Sequence, residues 1–414
     1  MAREHSYNSG RISRAGSGRP QNPAPQPAPG PQKGKPTRKK RKRWATVLLV
    51  CAIVIGVVAT GLGAAYLYLD GVFDPGNLGT INIDNYTPKE YQADSINILI
   101  AGIDYEEGRY SGDGLGLTDL IMVANFLPKE GKLNLLQIPR DSFVGTDVSV
   151  DGKINSLLRT GPDKTNPINN LATVISNQYK IPIDRYITLD MDGLKAIINT
   201  FNGIRVYVPK EMSYGGSYLP QGWQWLNGDQ VEFFVRNRKG AGFERADLDR
   251  LDNQRHFYSA LFRRFLNLTP GDMMKLLPVF EYYCNTDIGM GDLFDLGFSA
   301  LGLQSENIMM CKVPGATSAS EWSAGLGYPA LQTPENTYYV VDVYGRGTEE
   351  EPGVAALLNT YFRTYGEQVP AENLGIPPVQ IPGSVSLYSP TVQVMGSVFE
   401  GEGGADIDVE PTGE

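Results

Sequence analysis

INILIAGI at 96–103, TDLIMVANF at 118–126 and LNLLQIP at 133–139 are the apolar runs on which the reading of this 414-residue chain turns. Each has the length and the Ile, Val and Leu content of a β-strand, and Pro128-Lys129-Glu130-Gly131 between the second and third is a turn sequence suited to a hairpin. Arranged as an antiparallel meander, they bring the end of the first strand, the start of the second and the end of the third to one edge of a sheet. Asp104, Asp119 and Arg140 occupy those three places.

Downstream, residues 169–178 and 192–200 have helical spacing, while 185–189 and 204–208 read as strands. A longer helix is expected over 247–266, bounded by Asn267 and Pro270. Helices alternating with strands predict an α/β fold, a three-layer α-β-α sandwich with a mixed central sheet, over residues 95–315. The pattern weakens after Pro314. Residues 316–370 are expected to form a C-terminal extension with a helix near 353–365, and 371–414, rich in Pro, Gly and acids, a disordered acidic tail.

Upstream, WATVLLVCAIVIGVVATGLGAAYLYL at 44–69 contains no charged residue and exceeds the roughly 20 apolar residues that cross a bilayer. The domain is therefore expected to be preceded by one transmembrane helix. Arg38 to Arg43 stand directly before it and Asp70 directly after, which orients the N-terminus to the cytoplasm and the C-terminal bulk outside a cell membrane. Residues 1–43 read as a disordered basic cytoplasmic tail and 70–94 as a connector. The tail holds 12 of the 37 Lys and Arg but one of the 46 Asp and Glu, so everything beyond it is strongly acidic. Such a surface excludes nucleic acid as a general partner, and an anion site there needs a local concentration of arginine. Cys284 and Cys311 are the only cysteines outside the apolar segment, and the sequence leaves open whether they pair. With two histidines and no C-x-x-C, thiolate metal binding and a histidine triad are not indicated; His256 reads as a helix surface residue.

Within 247–266, Asp247, Arg250, Gln254, Phe257, Leu261 and Phe265 recur every three or four residues and share one helix face. That face begins polar and continues apolar. Together with Arg236, Arg238 and the Asp104, Asp119, Arg140 edge, it gathers guanidinium groups and carboxylates at one place. Arginine forks bind phosphate oxygens bidentately and carboxylates hold Mg²⁺, so this set suits a pyrophosphate with a divalent cation.

NILIAGID at 97–104, TDLIMV at 118–123, QIPRDS at 137–142, GKIN at 152–155, LNGDQVEFFVRNR at 226–238 and DLDRLDNQR at 247–255 follow one another in an order that resembles the LytR-CpsA-Psr family. The resemblance covers about 95–270. It implies a phosphotransferase that moves a glycopolymer, of wall teichoic acid or capsule type, from an undecaprenyl-pyrophosphate carrier in the membrane to peptidoglycan. It further implies Mg²⁺ or Mn²⁺ on Asp104 and Asp119, pyrophosphate held by Arg140, Arg238 and Arg250 with Arg236 beside them, and helix site residues at Asp247 and Gln254. Two positions depart from the family pattern, Leu117 and Asn253 standing where an arginine is usual. These departures keep two other readings open, a non-enzymatic polyprenyl-phosphate-binding or regulatory envelope protein and a polyprenyl-pyrophosphatase.

Overall fold

The computed structural model describes residues 78–83, 87, 94–104, 115–241, 247–300, 303–318, 338–348, 351–363, 368–387 and 392–394. The apolar segment 44–69 and the basic tail lie outside them. Among the described residues no helix is long and apolar enough to cross a membrane.

The three apolar runs form β1 (Ile96–Asp104), β2 (Leu117–Leu127) and β3 (Lys132–Gln137), paired antiparallel in sequence order. After a short α1 (Leu157–Thr160), α2 (Pro167–Tyr179) leads into β4 (Arg185–Asp190), which lies parallel to β1. The chain continues through α3 (Met191–Thr200), β5 (Ile204–Val208), the hairpin β6 (Met212–Tyr214) and β7 (Ser217–Leu219), β8 (Gly222–Leu226) and α4 (Gly228–Arg236). Then come α5 (Asp247–Leu266), α6 (Pro270–Tyr283), β9 (Cys284–Thr286), α7 (Met290–Ala300), β10 (Ile308–Lys312), β11 (Gly315–Thr317), β12 (Tyr339–Val341), α8 (Val354–Tyr361) and β13 (Val392–Val394). The main sheet runs β13-β10-β3-β2-β1-β4-β9 and is mixed, since β1/β4 and β3/β10 are parallel while its other pairs are antiparallel.

Side-chain alternation sends the two faces of this sheet into two separate cores. Leu99, Ala101, Ile121, Val123 and Leu136 pack with Leu171 and Ile175 of α2 and Leu357 and Leu358 of α8. On the other face Ile98, Met122, Ala124 and Leu135 pack with Val231 and Phe234 of α4, Phe257 of α5 and the inward side of β5. Helices thus cover the sheet on both faces.

A row of buried asparagines ties the central strands together. Asn97, Asn125 and Asn134 stand opposite one another on β1, β2 and β3. Asn125 Nδ2 donates to Asn97 Oδ1 at 3.0 Å, and Asn134 Nδ2 donates to Asn125 Oδ1 at 3.2 Å. The row ends at Thr87, whose hydroxyl accepts from Asn97 Nδ2 and donates to Asp184. Any slip of register would bury these amides without partners, so the row specifies one alignment.

Three expectations need correction. The stretch expected as a connector is partly built into the domain: Leu78 and Ile81 are core residues, Ile81 N donates to Asp287 Oδ2 at 3.1 Å, and Tyr186 Oη donates to the Gly79 carbonyl at 2.7 Å. The boundary at 315 also fails, because β12 and α8 pack into the same core as α2. Of the expected disordered tail, residues 371–387 and 392–394 are ordered; Leu374, Ile376 and Val379 are buried, and β13 closes one edge of the main sheet on β10. Proline favours extended backbone there, and the alternate apolar residues dock it without a ladder. As for Cys284 and Cys311, four strands stand between β9 and β10, a separation of roughly 24 Å at the usual strand spacing. Both are buried free thiols, far beyond bridging distance.

Asn125→Ala should lower unfolding free energy by about 1–3 kcal/mol in urea denaturation, because it takes the donor from buried Asn97 Oδ1 and one of two acceptors, the Tyr361 carbonyl remaining, from Asn134 Nδ2.

Candidate active site

β1 and β4 end side by side, with Ile103 paired to Asp190, so Asp104 and Asp190 emerge at the same edge of the sheet. Opposite them, the β1/β2 ladder is irregular. Gly102 pairs with Leu120 but Ile103 pairs with Thr118, which makes Asp119 the extra residue of a β-bulge. Bulges re-aim side chains beside functional sites, and here Asp119 and its neighbour Leu120 both face one cavity. Gly102 permits the crowding: a Cβ there would lie 2.9 Å from Leu120 Cβ.

The cavity has a volume of about 500 Å³. Its mouth is polar, formed by Asp104, Asp119, Arg140, Arg236, Arg238 and Arg250. Arg140 Nη1 is ion-paired with Asp119, and Arg236 Nη2 lies 3.1 Å from Asp104 Oδ1 while its Nη1 donates to Glu232 at 2.9 Å. Arg236 is the last residue of α4, whose start is fixed by a capping box between Asn227 and Gln230. Arg250 is only 3% exposed, so its charge is presented to the cavity from a dry setting. Gln254, one turn further along α5, donates from Nε2 to the Val235 carbonyl at 3.2 Å and so joins α5 to the last turn of α4.

Below the mouth the lining becomes apolar. Phe257, Leu261 and Phe265 continue the α5 face, joined by Met191 and Leu194 of α3 and Phe280 of α6. From Arg250 to Phe265 the polar-to-apolar stripe expected from spacing is therefore the wall of one cavity. Asp247 opens α5 as expected, but its side chain is outside the described residues. His256, on the same helix, is half-buried with its ring against Tyr207. Asn253 does not line the cavity: it is buried, and its Nδ2 lies 3.7 Å from Met212 Sδ. Leu117 pairs with Asp104 at the start of β2.

Sequence reasoning missed Asp190, Tyr258 and Cys284 on the lining. Asp190 caps α3 by accepting from Gly193 N at 2.7 Å. Burial raises its carboxyl above the usual range, with Asp192 adding to the rise and the Gly193 hydrogen bond opposing it. Its signal was an Asp closing one strand and opening a helix, but only the parallel pairing to β1 reveals that it stands beside Asp104. Burial likewise raises the phenol of Tyr258, which feels both Arg250 and Asp119, and pushes the Cys284 thiol up to about 12 with Asp190 adding to the effect. Neither group ionises at neutral pH.

Asp104 and Asp119 supply hard oxygen donors at one mouth, the kind of set Mg²⁺ takes when waters and phosphate oxygens complete its shell. Among the described residues no group of three His, Cys, Asp or Glu forms an all-protein metal cage. The donor set fits an ion shared with a substrate better than a resident structural metal.

A cationic mouth above an apolar shaft, at the strand ends of a mixed α/β sheet, has the chemistry that suits an amphiphile with an anionic head. Residues 79–339 match the LytR_cpsA_psr family, and the chain belongs to it. Among curated relatives it is 30% identical over 241 residues to the polyisoprenyl-teichoic acid--peptidoglycan teichoic acid transferase TagV of Bacillus subtilis (strain 168), a match spanning 54% of this chain and 58% of that protein. It is 27% identical over 293 residues to the corresponding transferase TagU of Oceanobacillus iheyensis, spanning 67% of this chain and 87% of TagU. The crystal structure of protein gbs0355 from Streptococcus agalactiae shares the fold, with a TM-score of 0.51 at 17% identity over 67% of this chain and 90% of that one.

Asp190→Asn should stabilise the fold at neutral pH. A carboxyl raised in the folded state carries an ionisation penalty above its folded pKa, and none below its unfolded value, where both states are protonated. The amide keeps the cap without the charge. Denaturation of the variant and the parent should therefore differ at pH 7 and converge at acid pH.

Proposed function

We propose that this chain is a phosphotransferase that moves a glycopolymer from a polyprenyl-pyrophosphate carrier to peptidoglycan. The observation that carries the reading is the single cavity in which four arginines and two ion-paired aspartates give way directly to a phenylalanine-lined shaft. A soluble nucleotide or free phosphate has no use for that shaft, and a simple lipid binder has no use for four guanidinium groups. The family relatives named above act, by their names, on polyisoprenyl-linked teichoic acid and peptidoglycan, which supports the same substrate class here.

In this reading the polyprenyl chain lies along Phe257, Leu261, Phe265 and Phe280, and its pyrophosphate meets the mouth. Arg140, Arg238 and Arg250 hydrogen-bond the phosphate oxygens, with Arg236 beside them, and neutralise the charge that builds on the bridging oxygen as the bond to it breaks. A peptidoglycan hydroxyl attacks the glycan-side phosphorus; a phosphodiester forms, polyprenyl phosphate leaves, and the hydroxyl proton passes to a carboxylate of the mouth or to water. Gln254 holds α5 against α4, so that Arg250 and Arg236 keep a common aim. Asp247, at the head of α5, is assigned to orienting an arginine. Asp104 and Asp119 would hold Mg²⁺ or Mn²⁺, which supplies further charge neutralisation of the pyrophosphate when bound. Positioning and electrostatics then account for catalysis, with no covalent enzyme intermediate.

The carrier is assigned as undecaprenyl pyrophosphate and the polymer as wall teichoic acid or capsule type. Residues 44–69 are assigned as a single membrane span with a cytoplasmic N-terminus, which puts the domain on the side of the membrane where a lipid-linked donor and the wall are both within reach. The departure at Asn253 falls among core residues near Met212 and takes no charge from the cavity lining, which favours turnover over silent binding.

Full-length protein in detergent, given a polyprenyl-pyrophosphate glycan and Mg²⁺, should couple the glycan to added peptidoglycan. Arg140→Ala and Arg250→Ala should each lower that rate by about 10²- to 10³-fold, and chelation should suppress it. Release to water regardless of peptidoglycan would instead indicate a pyrophosphatase, and tight binding without turnover a regulatory protein.

A further inference from the structure

β5 and β8 form a two-stranded sheet whose inner side belongs to the core, through Ile204, Val206, Val208 and Leu226. Its outer side is aromatic. Arg205 pairs with Trp225 and Tyr207 with Trp223 across the ladder. The Tyr207 and Trp223 rings meet edge to face at 5.5 Å, and the Arg205 guanidinium lies 5.3 Å from the Trp223 centroid. Trp225 is 38% exposed, and on the adjoining β6/β7 hairpin Tyr214 and Tyr218 are 50% and 56% exposed. This short stretch, 205–225, concentrates large aromatic surface in water, and such patches mark binding sites.

Two features say what fits it. The first is continuity with the mouth: Ser213 of the hairpin forms a β-bridge with Ala241, three residues beyond Arg238 of the mouth, so the aromatic surface adjoins the segment that leaves the cavity. The second is chemistry. Rigid aromatic faces interrupted by polar groups match pyranose rings, which present apolar C–H faces and hydroxyl rims, better than they match an aliphatic partner. Arg205 and Lys210 against a single Glu211 give 205–225 a net positive charge in a chain that is acidic beyond its basic tail, which suits a glycan that carries carboxylates.

We propose that the outer face of β5/β8 with the β6/β7 hairpin is a glycan subsite that stacks sugar rings of the peptidoglycan acceptor and leads its hydroxyl to the cavity mouth. Its role as the acceptor subsite rests on the transferase reading above, whereas glycan binding there stands without it. In the full chain two of the four tryptophans lie on this face, so intrinsic fluorescence reports on it. Full-length protein in detergent is titrated with soluble peptidoglycan glycan strands stripped of attached polymer. Saturable quenching is expected, weakened about tenfold or more in a Trp225→Ala, Tyr218→Ala double variant of unchanged melting temperature, and restored to within about threefold by Trp225→Phe. Arg140→Ala should bind the strands as the parent does, even if its transfer activity is lost. No binding by the parent, unchanged binding by the double variant, or loss of binding in Arg140→Ala would overturn the proposal. Failure of transfer with glycan binding intact would overturn only the transferase reading.

Discussion

The register of β1, β2 and β3 is the constraint on which the rest of the molecule depends. The buried row Asn97, Asn125, Asn134 allows one alignment, and within that alignment the bulge at Asp119 turns a carboxylate onto the cavity side of the sheet. Shift the register by one residue and each shifted strand turns its side chains to the opposite face, so that residues fitted to one core are forced into the other. The bulge also explains why Asp119, though two residues before Ile121 on the opposite core, lines the same pocket as Leu120 and Met122. Stability and site geometry therefore share one cause.

The mouth is prepared for an anion by pairing its charges beforehand. Arg140 with Asp119, and Arg236 with Asp104 and Glu232, hold the guanidinium planes in place without substrate. A second set of pairs backs the first: Asp141 lies 3.6 Å from Arg140 Nε and 3.1 Å from Lys153 Nζ, which brings the GKIN stretch to the site as support for Arg140. On the proposed reading, a pyrophosphate arriving here would exchange ion pairs without having to order mobile side chains, so little of its binding energy would go into organising the site. Since the chain beyond its basic tail is acidic, this local reserve of arginine is what an anionic head would need in order to bind here.

Much of this was legible in the sequence, for physical reasons that also mark its limits. Strand length and composition located β1 to β4, and three-or-four-residue spacing located α5 together with its change from polar to apolar. Both signals are local. Asp190 was invisible because its importance comes from a parallel pairing with β1, which no local pattern encodes. Phe280 joins the shaft from α6, a separate helix that only tertiary packing brings to the α5 face. The helix expected near 353–365 is present as α8, but the order of 371–387 was misjudged because Pro and Gly were read as disorder, while the buried Leu374, Ile376 and Val379 carried the contrary signal. The outer aromatic face escaped notice because exposure is a tertiary property: Trp223 and Trp225 look like core residues until the inner side of β5/β8 is seen to be filled by others.

The central claim is that one pocket holds a pyrophosphate head and a long hydrocarbon tail together. Calorimetric titration of the full-length protein with inorganic pyrophosphate, farnesyl pyrophosphate and undecaprenyl pyrophosphate, in Mg²⁺ and matched detergent, tests it directly. Weak binding of pyrophosphate alone is expected, with affinity that rises with isoprenoid length until the shaft is filled. Affinity independent of chain length would contradict it, because the phenylalanine-lined shaft would then contribute nothing.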